Sequence, residues 1–478
     1  MTPPNTLTPG AEARLRALEE QAQSHLDSVR NLMQVVGMEQ GEPSRFEVLQ
    51  GYLGVFGVAF LVTLLLTPLV RRLAIAFDII DHPTDPRKQH KVPVAYLGGV
   101  AVFAGIMTGI LYSYFALRFE GLIDFHVTEH LEDGYRHYPF PFWIVGGLTI
   151  IVLAGFLDDV YELSPRVKLG MQLMAAAGLA WGNIGTNLAR GVLSPTIGAW
   201  LGNRDLVYTI ATLPTDWPAV GWLTGGTGDV TIDFIYWSGA IAIALFVLGA
   251  TNAANFIDGL DGLLSGTTAI ATAGFLVIAL TLAIVDDGPL DSARIILCLA
   301  VLGGCLGFLP HNFNPATIFL GDCGSLLLGY AAAVMILSLG DTGKTYLVIA
   351  GLIIYGIPIT DTALAIVRRK LAGKRMSDPD ADHLHHMLKR ALGVKGAVFV
   401  LYAIGATCAT LGVLATETRA RIVYLLAVLF FSWIGVYAIK IARRTQLEQQ
   451  LARPPRRHDP SPSPAGDSPA GASPAPEH

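Results

Sequence analysis

Apolar residues fall into about eleven long runs separated by polar breaks. They cover residues 50–70, 96–117, 142–157, 169–188, 234–251, 263–285, 292–309, 324–340, 346–367, 396–415 and 420–441. Each approaches the roughly 20 residues a helix needs to cross hydrocarbon. The pattern predicts an all-α polytopic integral membrane protein of about eleven transmembrane helices. The third and eighth runs are short, so each either begins earlier or is partly shielded by neighbours. From Gly10 to Val36 the chain is polar and free of proline, with Leu15, Leu18, Ala22, Val29, Leu32 and Val36 at heptad-like spacing. This predicts a solvated amphipathic helix, with a short dimerising coil as the alternative. Residues 189–233 read as turns with a short hairpin or two. After Arg453 the Pro, Ser, Ala and Gly content cannot bury enough surface to order itself. The chain thus divides into a polar N-terminal segment (1–47), a membrane domain (48–442) and a disordered tail (443–478).

Composition agrees with the pattern. Of 478 residues, 52% are hydrophobic and 15% charged, where a soluble domain carries roughly a quarter charged residues. The mean hydropathy is +0.50. A net charge of −5 carries no nucleic-acid signature, and four scattered cysteines make neither a disulfide framework nor CxxC metal pairs. The first apolar run begins near Tyr52, so no cleavable leader is expected. Loops 71–95, 158–168 and 368–395 and the tail from Lys440 hold 21 of the 33 Lys and Arg. The positive-inside rule puts those loops in the cytoplasm, the N-terminus outside and the C-terminus inside.

With that orientation the unusual polar clusters share the cytoplasmic face, where scattered polar residues would populate both. TNAANFIDGLDG carries Asn252, Asn255, Asp258 and Asp261 at intervals of three. On one helix, Asn255, Asp258 and Asp261 would occupy about a third of the circumference, as one wall of a metal–phosphate site. Asp158 and Asp159 end the third run, followed by Arg166 and Lys168. They are either an acidic helix end in water or a pair in which one carboxylate acts while its neighbour orients. FLGDCGSLLLG sets Asp322 just before an apolar helix. It is either a helix cap or a Mg²⁺ ligand beside amides suited to phosphate. His383, His385 and His386 lie in the most basic loop. They are solvated or contact substrate phosphates, and the run alone supplies no convincing fourth zinc ligand. Arg87, Lys88, His90 and Lys91 lead into Gly98 and Gly99, as a plain basic flank or a lip attracting an anionic headgroup or nucleotide.

Together the stretches RKQHKVP…GG, GFLDD, NAANFIDGLDGL, FLGDCGSLLLG and HLHH resemble the polyprenyl-phosphate N-acetylhexosamine-1-phosphate transferase family, in that family's order. They span the apolar core from about Gly51 to Ala442. HLHH is more similar to the branch that uses UDP-GlcNAc or a related UDP-HexNAc, since the peptidoglycan branch has three consecutive histidines. Two positions depart from the pattern. Ala95 and Tyr96 stand where many members carry Pro and Arg, and Cys323 replaces a more usual small residue. The resemblance implies a bacterial plasma-membrane enzyme that moves HexNAc-1-phosphate, GlcNAc-1-phosphate first, from a UDP-sugar to undecaprenyl phosphate and releases UMP. Such a product initiates cell-envelope polysaccharide synthesis.

The implied cofactor is Mg²⁺, with Mn²⁺ as a substitute, held by Asp322 with Asp159. Asp158, Asp159, Asp258, Asp261, His383, His385 and His386 are the implied catalytic set. Arg87, Lys88, His90, Lys91, Lys168, Asn252 and Asn255 would bind substrate. A UDP-MurNAc-pentapeptide transferase and a transporter of sugar nucleotides or lipid-linked sugars are the rivals. A homodimer remains open.

Overall fold

The computed structural model describes residues 44–81, 93–119, 121–123, 125, 129–131, 134–136, 139–213, 227–285, 288, 290–371, 383–417 and 420–451. Residues 1–43, the Arg87, Lys88, His90 and Lys91 cluster and residues 452–478 lie outside these residues; the last residues of the N-terminal segment open the first helix, and the last helix runs to Leu451, nine residues into the segment expected to be disordered. The helices are α1 (Arg45–Ala76), α2 (Gly98–Ala116), α3 (Phe142–Tyr161), α4 (Pro165–Trp181), α5 (Phe234–Ile257) and α6 (Leu263–Val285). They continue as α7 (Asp291–Asn312), α8 (Gly321–Gly340), α9 (Thr345–Ile354), α10 (Gly356–Leu371), α11 (Leu384–Glu417) and α12 (Ala420–Leu451). Among the described residues nine helices are long and apolar enough to cross a membrane, and the bent pair α9–α10 is either a broken tenth span or a re-entrant loop. The 17-residue α4 takes the place of the run expected at 169–188. The chain is a multi-pass membrane protein.

Local chemistry sets the boundaries. Ser44 and Glu47 form a capping box at the start of α1: Glu47 N donates to Ser44 Oγ (3.3 Å) and Ser44 N to Glu47 Oε2 (2.6 Å). Pro165 at the first position of α4 loses no helical hydrogen bond there and starts that helix earlier than the hydropathy suggests. The span expected at 346–367 is not straight but bends by 77° between α9 and α10. Tyr355 and Gly356 form the break, and Pro358 withholds an amide from the first turn beyond it. Both short runs begin or end in polar residues that hydropathy discounts. Thus α3 extends to Tyr161 and includes Asp158 and Asp159, while α8 starts at Gly321 and includes Asp322.

The bundle is built around α8, in which only Asp322 is not buried. It packs against α2, α3, α5 and α9. A helix that is apolar all round belongs in the interior. Helices α1, α2 and α7 form one flank, and α6, α9 and α11 another. Leu61, Leu65 and Leu69 of α1 and Leu425, Leu429 and Trp433 of α12 are exposed, a face suited to lipid. At one end of the bundle Asp291 and Arg294 form a buried ion pair, and Arg294 Nη2 donates to Ser338 O (2.7 Å), tying α7 to the last turn of α8.

Three two-stranded antiparallel ladders complete the fold. β1 (Ile80–Asp81) pairs with β2 (Val94–Ala95), and β3 (Glu129–Leu131) with β4 (Gly134–Arg136). β5 (Val207–Thr212) pairs with β6 (Asp229–Asp233), the hairpin expected within 189–233. The β2 ladder matters for the site because Ala95 also bridges to Ile318, just ahead of α8.

Candidate active site

The GDCGS turn at the start of α8 has a physical reason at almost every position. Gly98 N donates to Phe319 O (2.9 Å) and Gly99 N to Leu320 O (2.8 Å), so the start of α2 lies against the approach to α8. A Cβ on Gly99 would overlap the backbone of Cys323 and Gly324. Backbones can come this close only because both positions are glycine. Gly321 has φ +70°, and a side chain there would also meet the Asp159 carboxylate.

Asp159 reaches from α3 to the free amides that open α8. Asp322 N donates to its Oδ1 (2.7 Å) and Cys323 N to its Oδ2 (3.1 Å). A carboxylate is the favoured partner for the unpaired amides and positive dipole of a helix start. Both Asp159 oxygens are thereby occupied. Its neighbour Asp158 points elsewhere, accepting from Leu163 N (2.9 Å) and Lys168 Nζ (2.8 Å). Lys168, on the first turn of α4, also donates to Asp322 Oδ2 and so bridges the two aspartates. Asn255 Nδ2 donates to Asp322 Oδ1 (2.7 Å) and Ser325 Oγ (2.9 Å). Asp322 is therefore gripped from α4 and α5 at once.

Asn255, Asp258 and Asp261 do not share a helical face. Helix α5 stops at Ile257, Asp258 caps it, and Gly262 with φ +77° turns the chain into α6. The two glycines and two aspartates of DGLDG favour this break over another helical turn. Asp261 secures it by accepting from Asn314 Nδ2 (2.8 Å) and Ala316 N (3.0 Å), while Gly262 N donates to Asn312 Oδ1 (3.1 Å). Asp258 has no hydrogen-bond partner among the described residues. Burial pushes its carboxyl up to about 8, and the nearby charges of Asp322, Asp159 and Asp261 push the same way. Asn252 lies a turn back on α5, where its Nδ2 donates to Gln172 Oε1 (3.2 Å) and Leu248 O (2.8 Å).

The histidine run divides. His383 Nδ1 lies 2.8 Å from Asp361 Oδ2, and Leu384 N donates to Asp361 Oδ1 (2.7 Å). His385 packs with its Nε2 against Gly259, so it closes the break beside Asp258. The His386 ring lies 4.2 Å from that of His385. Asp361 was not singled out from the sequence. Its signal was there: a lone carboxylate in the apolar run GIPITDTALAIV.

The arrangement brings together Asp158, Asp159, Lys168, Asn255, Asp258, Asp261, Asp322 and His385 at one end of the bundle. Five of these are aspartates. Among the described residues, Lys168 is the one lysine or arginine in salt-bridge contact with any of them. Such an excess of like charge favours a cation. The oxygens of Asp322 and Asp258, with the amide oxygen of Asn255, are all hard donors and fit Mg²⁺. Tyr96 borders the cluster, its hydroxyl pushed up by burial and by the charges of Asp81, Asp159 and Asp322.

Comparison with known proteins bears on this end of the bundle directly. Residues 141–340 match the model of glycosyl transferase family 4. The chain is 33% identical over 352 residues to a probable undecaprenyl-phosphate N-acetylglucosaminyl 1-phosphate transferase of Bacillus subtilis, covering 73% of this chain and 81% of the relative. It is 28% identical over 361 residues to a decaprenyl-phosphate N-acetylglucosaminephosphotransferase of Mycolicibacterium smegmatis, covering 72% and 77%. A phospho-N-acetylmuramoyl-pentapeptide-transferase of Bacillus cytotoxicus is 30% identical over 373 residues, covering 76% and 97%.

Proposed function

The chain belongs to glycosyl transferase family 4, and from that premise we propose that it transfers GlcNAc-1-phosphate from UDP-GlcNAc to undecaprenyl phosphate, releasing UMP. The observation that carries the chemistry is the Lys168 ammonium held between Asp158 and Asp322, with Asn255 on the far oxygen of Asp322. Two anions must meet in this reaction, so neutralising and positioning them is the main physical problem. A phosphate oxygen of the lipid attacks the β-phosphorus of the donor. The bond from that phosphorus to the bridging oxygen breaks, and UMP leaves with the electron pair.

Asp322 and Asp258, with the Asn255 amide oxygen, would hold Mg²⁺, which when bound neutralises diphosphate charge. Asp159 contributes by fixing the backbone that presents Asp322. Lys168 supplies positive charge beside the reacting phosphates, and Asp158 accepts any proton left on the lipid phosphate. That proton demand is modest, because a phosphate monoester has a second pKa of about 6. His385 and His386 form the wall next to the Asp258 break and meet the donor there. This end of the bundle faces the cytoplasm, where a UDP-sugar is soluble, and the prenyl tail enters from the bilayer.

One specific observation favours a second donor, UDP-MurNAc-pentapeptide: the relative from Bacillus cytotoxicus matches over 97% of its own length. The HLHH run, in place of three consecutive histidines, favours GlcNAc. Purified protein in detergent, undecaprenyl phosphate, Mg²⁺ and a panel of UDP-sugars decide between them. UMP release with UDP-GlcNAc is the expected outcome. Release only with the muramoyl peptide names the other donor, and no UMP with any donor defeats the transferase reading.

A further inference from the structure

Asp361, His383 and His385 bring three ligand atoms within 4.8 Å of one another, and among the described residues no other His, Cys, Asp and Glu group does so. All three residues are buried: Asp361 and His385 are 1% exposed and His383 is 8% exposed. Asp361 Oδ2 lies 2.8 Å from His383 Nδ1 and 3.7 Å from His385 Nδ1. The longer distance is beyond a hydrogen bond, and His385 Nδ1 is a buried nitrogen with no partner. Leaving such a group unpaired costs about 1–3 kcal/mol. The orphaned nitrogen is aimed at the same carboxylate oxygen that its neighbour already uses.

We propose that Asp361, His383 and His385 form a site for a zinc ion, separate from the Mg²⁺ basin at Asp322. In a tetrahedral zinc site with bonds of about 2.0–2.1 Å, ligand atoms stand about 3.4 Å apart. The two distances here lie on either side of that value, so small side-chain shifts bring both nitrogens and the oxygen onto one ion. Two imidazole nitrogens and one carboxylate suit zinc and disfavour Mg²⁺, which prefers oxygen alone. A fourth position is left for water. Coordination through Nδ1 keeps the proton of His385 on Nε2, the atom that faces Gly259 and the Asp258 break. The ion would therefore tie α10 to the start of α11 and fix the His385 ring in one tautomer beside the reacting end of the bundle.

Zinc retention is independent of the transferase reaction and is measured with neither substrate. The full chain, purified without a histidine tag, is dialysed against EDTA, reloaded with Zn²⁺ in excess Mg²⁺, passed through size exclusion and counted by mass spectrometry of the metal. One zinc per chain is expected, with visible tetrahedral bands when Co²⁺ replaces it. Asp361→Asn and His385→Gln should each weaken retention by tenfold or more, the usual cost of losing a ligand or its immediate support. Monodisperse elution shows that each variant is folded, and His385→Gln serves if Asp361→Asn is not. Wild-type protein that retains no zinc, or folded variants that retain as much as the wild type, overturn the proposal in favour of a plain hydrogen-bonded Asp–His pair.

Discussion

Replacing Asp159 by Asn tests whether this residue caps α8 or binds metal directly. Its two oxygens accept amides at 2.7 and 3.1 Å, and hydrogen bonds to a charged group contribute about 1.5–3 kcal/mol each. Asparagine keeps one oxygen as a neutral acceptor, worth about 1 kcal/mol, and turns an NH₂ toward an amide that then goes unpaired. Removing a buried charge offsets part of the loss. The balance is a destabilisation of about 3 kcal/mol, or about 3 °C in melting temperature for a chain of this length. All four cysteines are buried, so a thiol-reactive dye reports unfolding of the detergent-purified protein. Asp158→Asn is the comparator, because its amide oxygen can still accept from Leu163 N and it touches no helix start. It should melt closer to the wild type. If Asp159→Asn melts within about 1 °C of the wild type while its Mg²⁺ requirement rises tenfold, the capping argument is wrong and Asp159 is a ligand.

Two further predictions concern protons. Asp258, raised to about 8 by burial and then by neighbouring carboxylates, must lose its proton when a divalent ion binds beside it. Apparent Mg²⁺ affinity should therefore rise about eightfold from pH 6.5 to 7.5 and level off above 8. Calorimetry in two buffers should detect the released proton, and a pH-independent wild type would count against a metal beside Asp258. At the other end of α8, burial raises Asp341 to about 6 although Gly185 N donates to it (2.9 Å). Its folded pKa lies above the usual 3.8, so the penalty is absent below about pH 4, grows through pH 6 and is complete above it. Two pKa units correspond to about 3 kcal/mol. Asp341→Asn keeps an acceptor, so it should melt about 3 °C higher than the wild type at pH 8 and equally at about pH 3; a lower melting point at pH 8 would defeat the argument.

Hydropathy made most spans legible because nine of the runs each form a helix long and apolar enough to cross the bilayer, whereas α4 and the bent α9–α10 pair do not. It could not rank them, since leucines facing lipid and leucines facing protein read alike; α8 and α12 look similar in sequence, yet one is central and the other outermost. The residues of the site were legible as motifs, but their pairings were not. Nothing local says that Asp159 serves the amides of residues 163 positions further on, or that Asp361 waits for His383. The helical face assigned to Asn255, Asp258 and Asp261 failed because glycine and aspartate terms outweighed the apolar pattern at DGLDG. The 77° bend at Tyr355 was foreshadowed by Gly356 and Pro358 and hidden by the hydropathy around them.

Helix α8 meets an anion from α3 at its first turn and a guanidinium from α7 at its last, the signs its dipole prefers at each end. A column anchored top and bottom, with protein on every side, cannot tilt or slide without breaking both anchors. Whatever yields to admit a long isoprenoid must then be an outer stave, and α12, with Leu425, Leu429 and Trp433 exposed, is the outermost.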